Sequence, residues 1–159
     1  MARRFQVMLR IVMVSIAAAI LAGCGDDFGV DQHGQKVAAE RLQGQWLIIN
    51  YWAEWCGPCR TEIPELNELA RELKAQSVGV FGVNFDKLQG EELARAAEAL
   101  GIEFTVLAQD PAERYQLPPS EALPVTYIVD DQGLVRDRLL GEQDAEGLKT
   151  RLSELRQEG

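Results

Sequence analysis

The chain has 159 residues, a formal net charge of −9, 47% hydrophobic residues and 26% charged residues. That length suits one domain, and the ordinary composition, without low-complexity tracts or internal repeats, excludes a fibrous or disordered chain. The acidic balance argues against a nucleic-acid partner and against adhesion to an anionic lipid surface.

The amino terminus reads separately from the rest. Arg3, Arg4 and Arg10 make a positive n-region, and residues 11–22 form an apolar run with small side chains. The run is shorter than the roughly 20 apolar residues a spanning helix needs, and it suits a signal peptide. An uncleaved anchor helix is the competing reading. The run ends in Leu21-Ala22-Gly23-Cys24, which resembles the lipobox of bacterial lipoproteins. The resemblance implies diacylglycerol on the Cys24 sulfur, cleavage before it, and further acyl chains such as palmitate. Residues 1–23 are then signal peptide, and residues 24–27 the lipidated cysteine and a short tether. Without residues 1–23, Lys plus Arg falls from 16 to 13 against 25 Asp plus Glu, a net charge of −12. Three cysteines in an exported chain leave one odd, and a lipid on Cys24 accounts for it. Several acyl chains anchor firmly where one alone is marginal. Gly25 is not the aspartate that marks inner-membrane retention in some bacteria, so the choice of membrane stays open.

Residues 28–37 hold Asp31-Gln32-His33-Gly34, a turn signal between short extended pieces. His33 is the only histidine, and it reads as a solvated turn residue, which argues against a Ser–His or Cys–His triad. Residues 45–51 are almost continuously apolar, as a strand buried on both faces requires. The apolar run leads into Trp55-Cys56-Gly57-Pro58-Cys59. Residues 60–76 follow with helical spacing of Ile63, Leu66, Leu69, Ala70 and Leu73. Two cysteines separated by two residues at a strand-to-helix junction are placed for reversible disulfide chemistry. Cys56 falls at the helix start, where free N–H groups and the dipole favour a thiolate. Cys59, one turn on, can close a disulfide and expel a bound substrate. Gly57 and Pro58 allow the tight turn, and the missing N–H of Pro58 is not needed in a first helical turn. A zinc half-site would need two more ligands, and the chain offers only Cys24 and His33.

Trp-Cys-Gly-Pro-Cys after a hydrophobic strand resembles the thioredoxin superfamily and, more narrowly, its TlpA/ResA-like group of membrane-tethered proteins. The resemblance covers residues 28–156. It implies one domain over residues 28–159, with an α/β fold in which a central mixed sheet carries helices on both faces. It also implies an N-terminal hairpin near residues 28–37 and an insertion after the second core strand. Thioredoxins carry a buried Asp where this chain has Asn50, six residues before Cys56. Asn cannot titrate, and the tethered relatives often share it. They carry a glutamate at the position of Glu62, which helical spacing puts on the same face as Cys59. An ordinary surface glutamate is the alternative. Pro64 also matches the superfamily spacing, and it should kink the helix by removing a hydrogen bond to the Arg60 carbonyl.

Residues 77–85 read as a second core strand, parallel to the first because a helix joins them. Residues 86–101 are a loop and an amphipathic helix with Leu93, Ala96, Ala97 and Leu100 inward and Gly101 as its stop. Residues 102–107 add a short strand and 110–115 a helical turn. Residues 125–129 are a strand joined through Asp130-Asp131-Gln132-Gly133 to a hairpin partner at 134–140. Asp144 N-caps a last helix with Leu148, Leu152 and Leu155 inward. Leu123-Pro124-Val125-Thr126-Tyr127 resembles the superfamily's cis-proline loop, which pairs its backbone with substrate. A trans proline at the strand start is the alternative.

The resemblance implies a thiol–disulfide oxidoreductase in the bacterial cell envelope, facing the periplasm or extracytoplasmic space. Cys56 would attack, Cys59 resolve and Glu62 manage the Cys59 proton. Trp55, Gly57, Pro58, Leu123 and Pro124 would meet the substrate. No metal and no cofactor beyond the redox disulfide is expected. The partners are disulfide-bearing client proteins, a DsbD/CcdA-like membrane thiol donor, and the membrane through the anchor of a monomer. Gly57-Pro58 match the reducing thioredoxins, whereas the superfamily's strong oxidant puts a histidine between its cysteines. The expected role is therefore a reductant, for example in cytochrome c biogenesis or metal-site assembly. An oxidase or isomerase is the rival. A copper-binding chaperone is a second rival, disfavoured by the lack of a second histidine or any Met near the pair.

Overall fold

The computed structural model describes residues 27–158. The signal-peptide and lipidation readings, Cys24 included, lie outside the described residues. Among them no helix is long and apolar enough to cross a membrane.

The centre is β3, Trp46–Trp52, with every residue buried. Successive side chains of a strand point to opposite faces. Ile48 and Trp52 therefore enter one apolar cluster, and Leu47, Ile49 and Tyr51 the other. Around β3 lie β4 (Val78–Asn84), β5 (Thr105–Leu107), β6 (Val125–Val129) and β7 (Val135–Leu140), in the order β5-β4-β3-β6-β7. The β3–β4 and β4–β5 pairs are parallel, and β3–β6 and β6–β7 antiparallel. The sheet is mixed, as expected.

Helix α1, Gly57–Leu73, begins directly after Cys56, which is its N-cap as expected, and so includes Gly57, Pro58 and Cys59 ahead of the periodic run. It ends at Leu73, and Ser77 then takes a left-handed φ of 54° before β4. Pro64 lies inside α1 without ending it. Helix α2, Gly90–Ala99, lies where the insertion is expected, and β5 after it is an edge strand of the sheet. The short α3 is Ala112–Tyr115, and α4 is Ala145–Gln157, where Asp144 accepts from the Gly147 N–H at 2.6 Å as its N-cap.

Helices occupy both faces, but unequally. The buried apolar residues of α1, α2 and α4 all join the Ile48–Trp52 cluster. The opposite cluster is closed by Tyr115 of α3, by Leu42 of a 3₁₀ turn (Ala39–Leu42), and by Phe28 and Val37 of the N-terminal hairpin. That hairpin pairs β1 (Asp27–Val30) with β2 (Lys36–Ala38). Its turn residue Gln32 is buried rather than solvated. The Gln32 amide donates to the Phe104 carbonyl at 2.7 Å and accepts from the Val106 N–H at 2.8 Å, so it caps the outer side of β5. His33, beside it, is exposed.

Candidate active site

All expected site residues within the described chain gather at one end of the sheet. Cys56 follows β3 by four residues and caps α1, with its sulfur accepting from the Cys59 N–H at 3.2 Å. Cys56 and Cys59 are joined in a disulfide with Cα atoms 5.3 Å apart. Cys59 is fully buried and Cys56 nearly so, while Gly57 and Pro58 between them are exposed. An attacking sulfur at a helix N-terminus meets unpaired N–H groups and the positive end of the dipole, which stabilise its thiolate.

Trp55 stands over this end with 65% of its surface exposed. Its indole N–H donates to the Asp86 carboxylate at 3.0 Å, and its ring meets Phe85 edge-on at 6.2 Å. Both partners directly follow β4, so the parallel pairing of β3 and β4 brings them beside the motif. Beyond Phe85 opens a cavity of about 480 Å³, walled by Tyr51, Pro118 and Pro119.

The Leu123–Pro124 peptide bond is cis. Val125 pairs with Tyr51 near the end of β3, so Pro124 falls where β3 gives way to the cysteine loop. Pro124 is buried, its carbonyl accepts from the Gly141 N–H at 3.0 Å, and half-buried Leu123 packs against both clusters.

Glu62 is not a surface residue. It is 1% exposed, one turn beyond Cys59 on α1. Oε1 accepts from Asn50 Nδ2 at 2.7 Å, and Oε2 from the Gln143 backbone N–H at 3.1 Å. Asn50 Nδ2 also donates to Thr126 Oγ1 at 3.0 Å. Burial pushes the Glu62 carboxyl up from the ordinary 4.5 to about 7, against the pull of the Asn50 and Gln143 donors and with a small addition from the Glu142 charge. A carboxyl poised near neutrality can take or give a proton under physiological conditions. One turn further on, Glu65 accepts from the Ala145 N–H at 3.1 Å, so two α1 carboxylates hold the start of α4. Asp86, Thr126 and Gln143 escaped the sequence reading, since only the sheet register and the return of α4 bring them here. Among the described residues no three His, Cys, Asp or Glu side chains cluster as metal ligands.

The sequence matches the AhpC/TSA family over residues 23–138. The chain belongs to that family. It is 29% identical over 129 residues to the thiol-disulfide oxidoreductase ResA of Bacillus thuringiensis strain Al Hakam, covering 79% of this chain and 72% of the relative. ResA of Geobacillus kaustophilus is 29% identical over 145 residues, covering 88% and 80%. Among solved structures, a thiol:disulfide interchange protein of the thioredoxin family from Chlorobium tepidum superposes with a TM-score of 0.67 at 20% identity, covering 82% of this chain and 92% of that one. The expected thioredoxin-like fold and ResA-like kinship hold. The protein is a thiol–disulfide oxidoreductase, and Cys56–Cys59 supplies the C-x-x-C pair.

Proposed function

We propose that the protein is a lipid-anchored reductant of client disulfides outside the cytoplasm, held to the membrane through Cys24. The observation that carries the reading is the Cys56–Cys59 pair on the first turn of α1, with only Gly57 and Pro58 between the sulfurs. In the dithiol form the Cys56 thiolate attacks a client disulfide, and one client sulfur leaves as thiolate and takes a proton. Glu62 then removes the Cys59 proton, and the Cys59 thiolate attacks the mixed disulfide at Cys56. The second client sulfur leaves, and two electrons have passed from the pair to the client. A DsbD/CcdA-like membrane thiol donor restores the dithiol. The Leu123–Pro124 backbone aligns the client chain, and Trp55 with Phe85 gives it apolar surface. Apocytochrome c and metal-site proteins are the client classes this reading favours.

Direction is tested by equilibrating the pair with glutathione. With no histidine between the cysteines, the thiolate is stabilised only moderately. The potential should lie nearer the thioredoxin value of about −270 mV than the strongly oxidising value of about −120 mV. A value above about −160 mV would replace the reductant by an oxidase.

A further inference from the structure

Asn50 stands at the centre of a closed polar cluster. It is fully buried on β3, and both of its hydrogen bonds run from Nδ2, to Glu62 Oε1 and Thr126 Oγ1. Its Oδ1 has no hydrogen-bond partner among the described residues. A buried acceptor left unpaired costs free energy, so the position of this amide calls for a cause.

The arrangement is the one an ionised Glu62 requires. Oε1 faces an amide NH₂ and Oε2 faces the Gln143 backbone N–H. A proton on either oxygen would point at a donor. The Gln143 N–H belongs to the backbone and cannot turn. The Asn50 amide can, because a half-turn exchanges its oxygen and nitrogen with almost no change of shape. Thr126 tolerates either orientation, since a hydroxyl donates as readily as it accepts.

We infer that Asn50 is a reversing positioning residue, which offers Nδ2 to the Glu62 carboxylate and turns to offer Oδ1 to the Glu62 carboxylic acid. This rests on the reading of Glu62 as carrier of the Cys59 proton. After the turn, Oδ1 accepts from the Glu62 O–H and the Thr126 O–H together, and the unpaired end of the amide becomes its NH₂. Each orientation leaves one amide end unpaired, so neither is locked and the proton on Glu62 decides between them. The groups facing Glu62 from other elements are neutral Asn50 on β3, neutral Thr126 on β6, and the Glu142 charge in the loop between β7 and α4. On α1 itself, helical spacing makes Cys59 and Glu65 its neighbours, and the Glu65 carboxylate is held by the Ala145 N–H. Burial sets Glu62 near neutrality, so both orientations are populated there.

The test is NMR of the oxidised protein, labelled with ¹³C and ¹⁵N, between pH 4 and 10. Above the midpoint of the Glu62 carboxyl carbon, the Asn50 Hδ2 protons should show an Overhauser contact to Thr126, because Nδ2 lies against Oγ1. Below it that contact should vanish. A contact of constant intensity across the midpoint, or a Glu62 carbon that does not titrate, would overturn the inference. Asn50→Leu supplies a second readout. Loss of the charged hydrogen bond should raise the Glu62 midpoint by about one to two pH units, and an unmoved midpoint would reduce Asn50 to a packing role. The proton-carrier reading is tested apart, by the exchange rate of Glu62→Gln. It can fail while the Thr126 contact still switches, so the two failures are distinguishable.

Discussion

Glu62→Gln should make the oxidised protein more stable and its thiol exchange slower. The carboxyl titrates near 4.5 when the chain is unfolded and near 7 in the fold. Between those values the folded state binds more protons than the unfolded one, so stability falls as pH rises through that window. With one pH unit worth about 1.4 kcal/mol, linkage through this one group removes about 2.5 kcal/mol between pH 5 and pH 8. Glutamine keeps the shape and does not titrate. Urea unfolding of wild type and variant across that range, subtracted at each pH, cancels every other group. The difference should grow in favour of the variant by about 2.5 kcal/mol, or roughly 8–10 °C in melting temperature for a domain of this size. Stopped-flow reduction of a disulfide substrate should meanwhile slow by about 10²–10⁴-fold at neutral pH, the usual contribution of a positioned base. A flat stability difference would refute the raised carboxyl. Superimposable pH–rate profiles would refute its role in proton transfer.

Two further outcomes follow from the cysteines. Cys59→Ser should accumulate mixed disulfides with clients through Cys56, and Cys56→Ser almost none; the reverse pattern on non-reducing gels would exchange the two roles. Cys24→Ala should abolish lipidation and processing at that site, and intact mass of the membrane-extracted wild type should show acyl chains on Cys24. An unmodified Cys24 on an unprocessed chain would remove the anchor.

The chemistry was legible where it depends on near neighbours in sequence. The Cys56–Cys59 spacing, the helix start between them and the placement of Glu62 one turn on are all local, and the structure keeps them. The cis bond at Pro124 came through resemblance, since nothing local separates it from a trans strand start. The partners that wire Glu62 are another matter. Thr126 lies 76 residues from Asn50, and Gln143 lies 81 from Glu62. Only strand register and the return of α4 join them, and periodicity carries neither. The docking of Gln32 was illegible for a similar reason. It lies in a turn signal, while its side chain docks on a segment more than 70 residues away.

That Gln32 clip has a consequence for how the protein meets its clients. A client whose cysteines are accessible is often incompletely folded, and loose extended segments pair readily with any bare strand edge. Here the β5 edge already has its Phe104 carbonyl and Val106 amide occupied from within the same chain. The other edge, β7, carries Arg136, Asp137 and Arg138 in succession, and Arg151 of α4 reaches across to Asp137 at 2.5 Å. Both flanks of the sheet thus discourage co-aggregation with the chains it serves. At the disulfide end, exposed Trp55 and Phe85 instead offer an unfolded segment apolar surface.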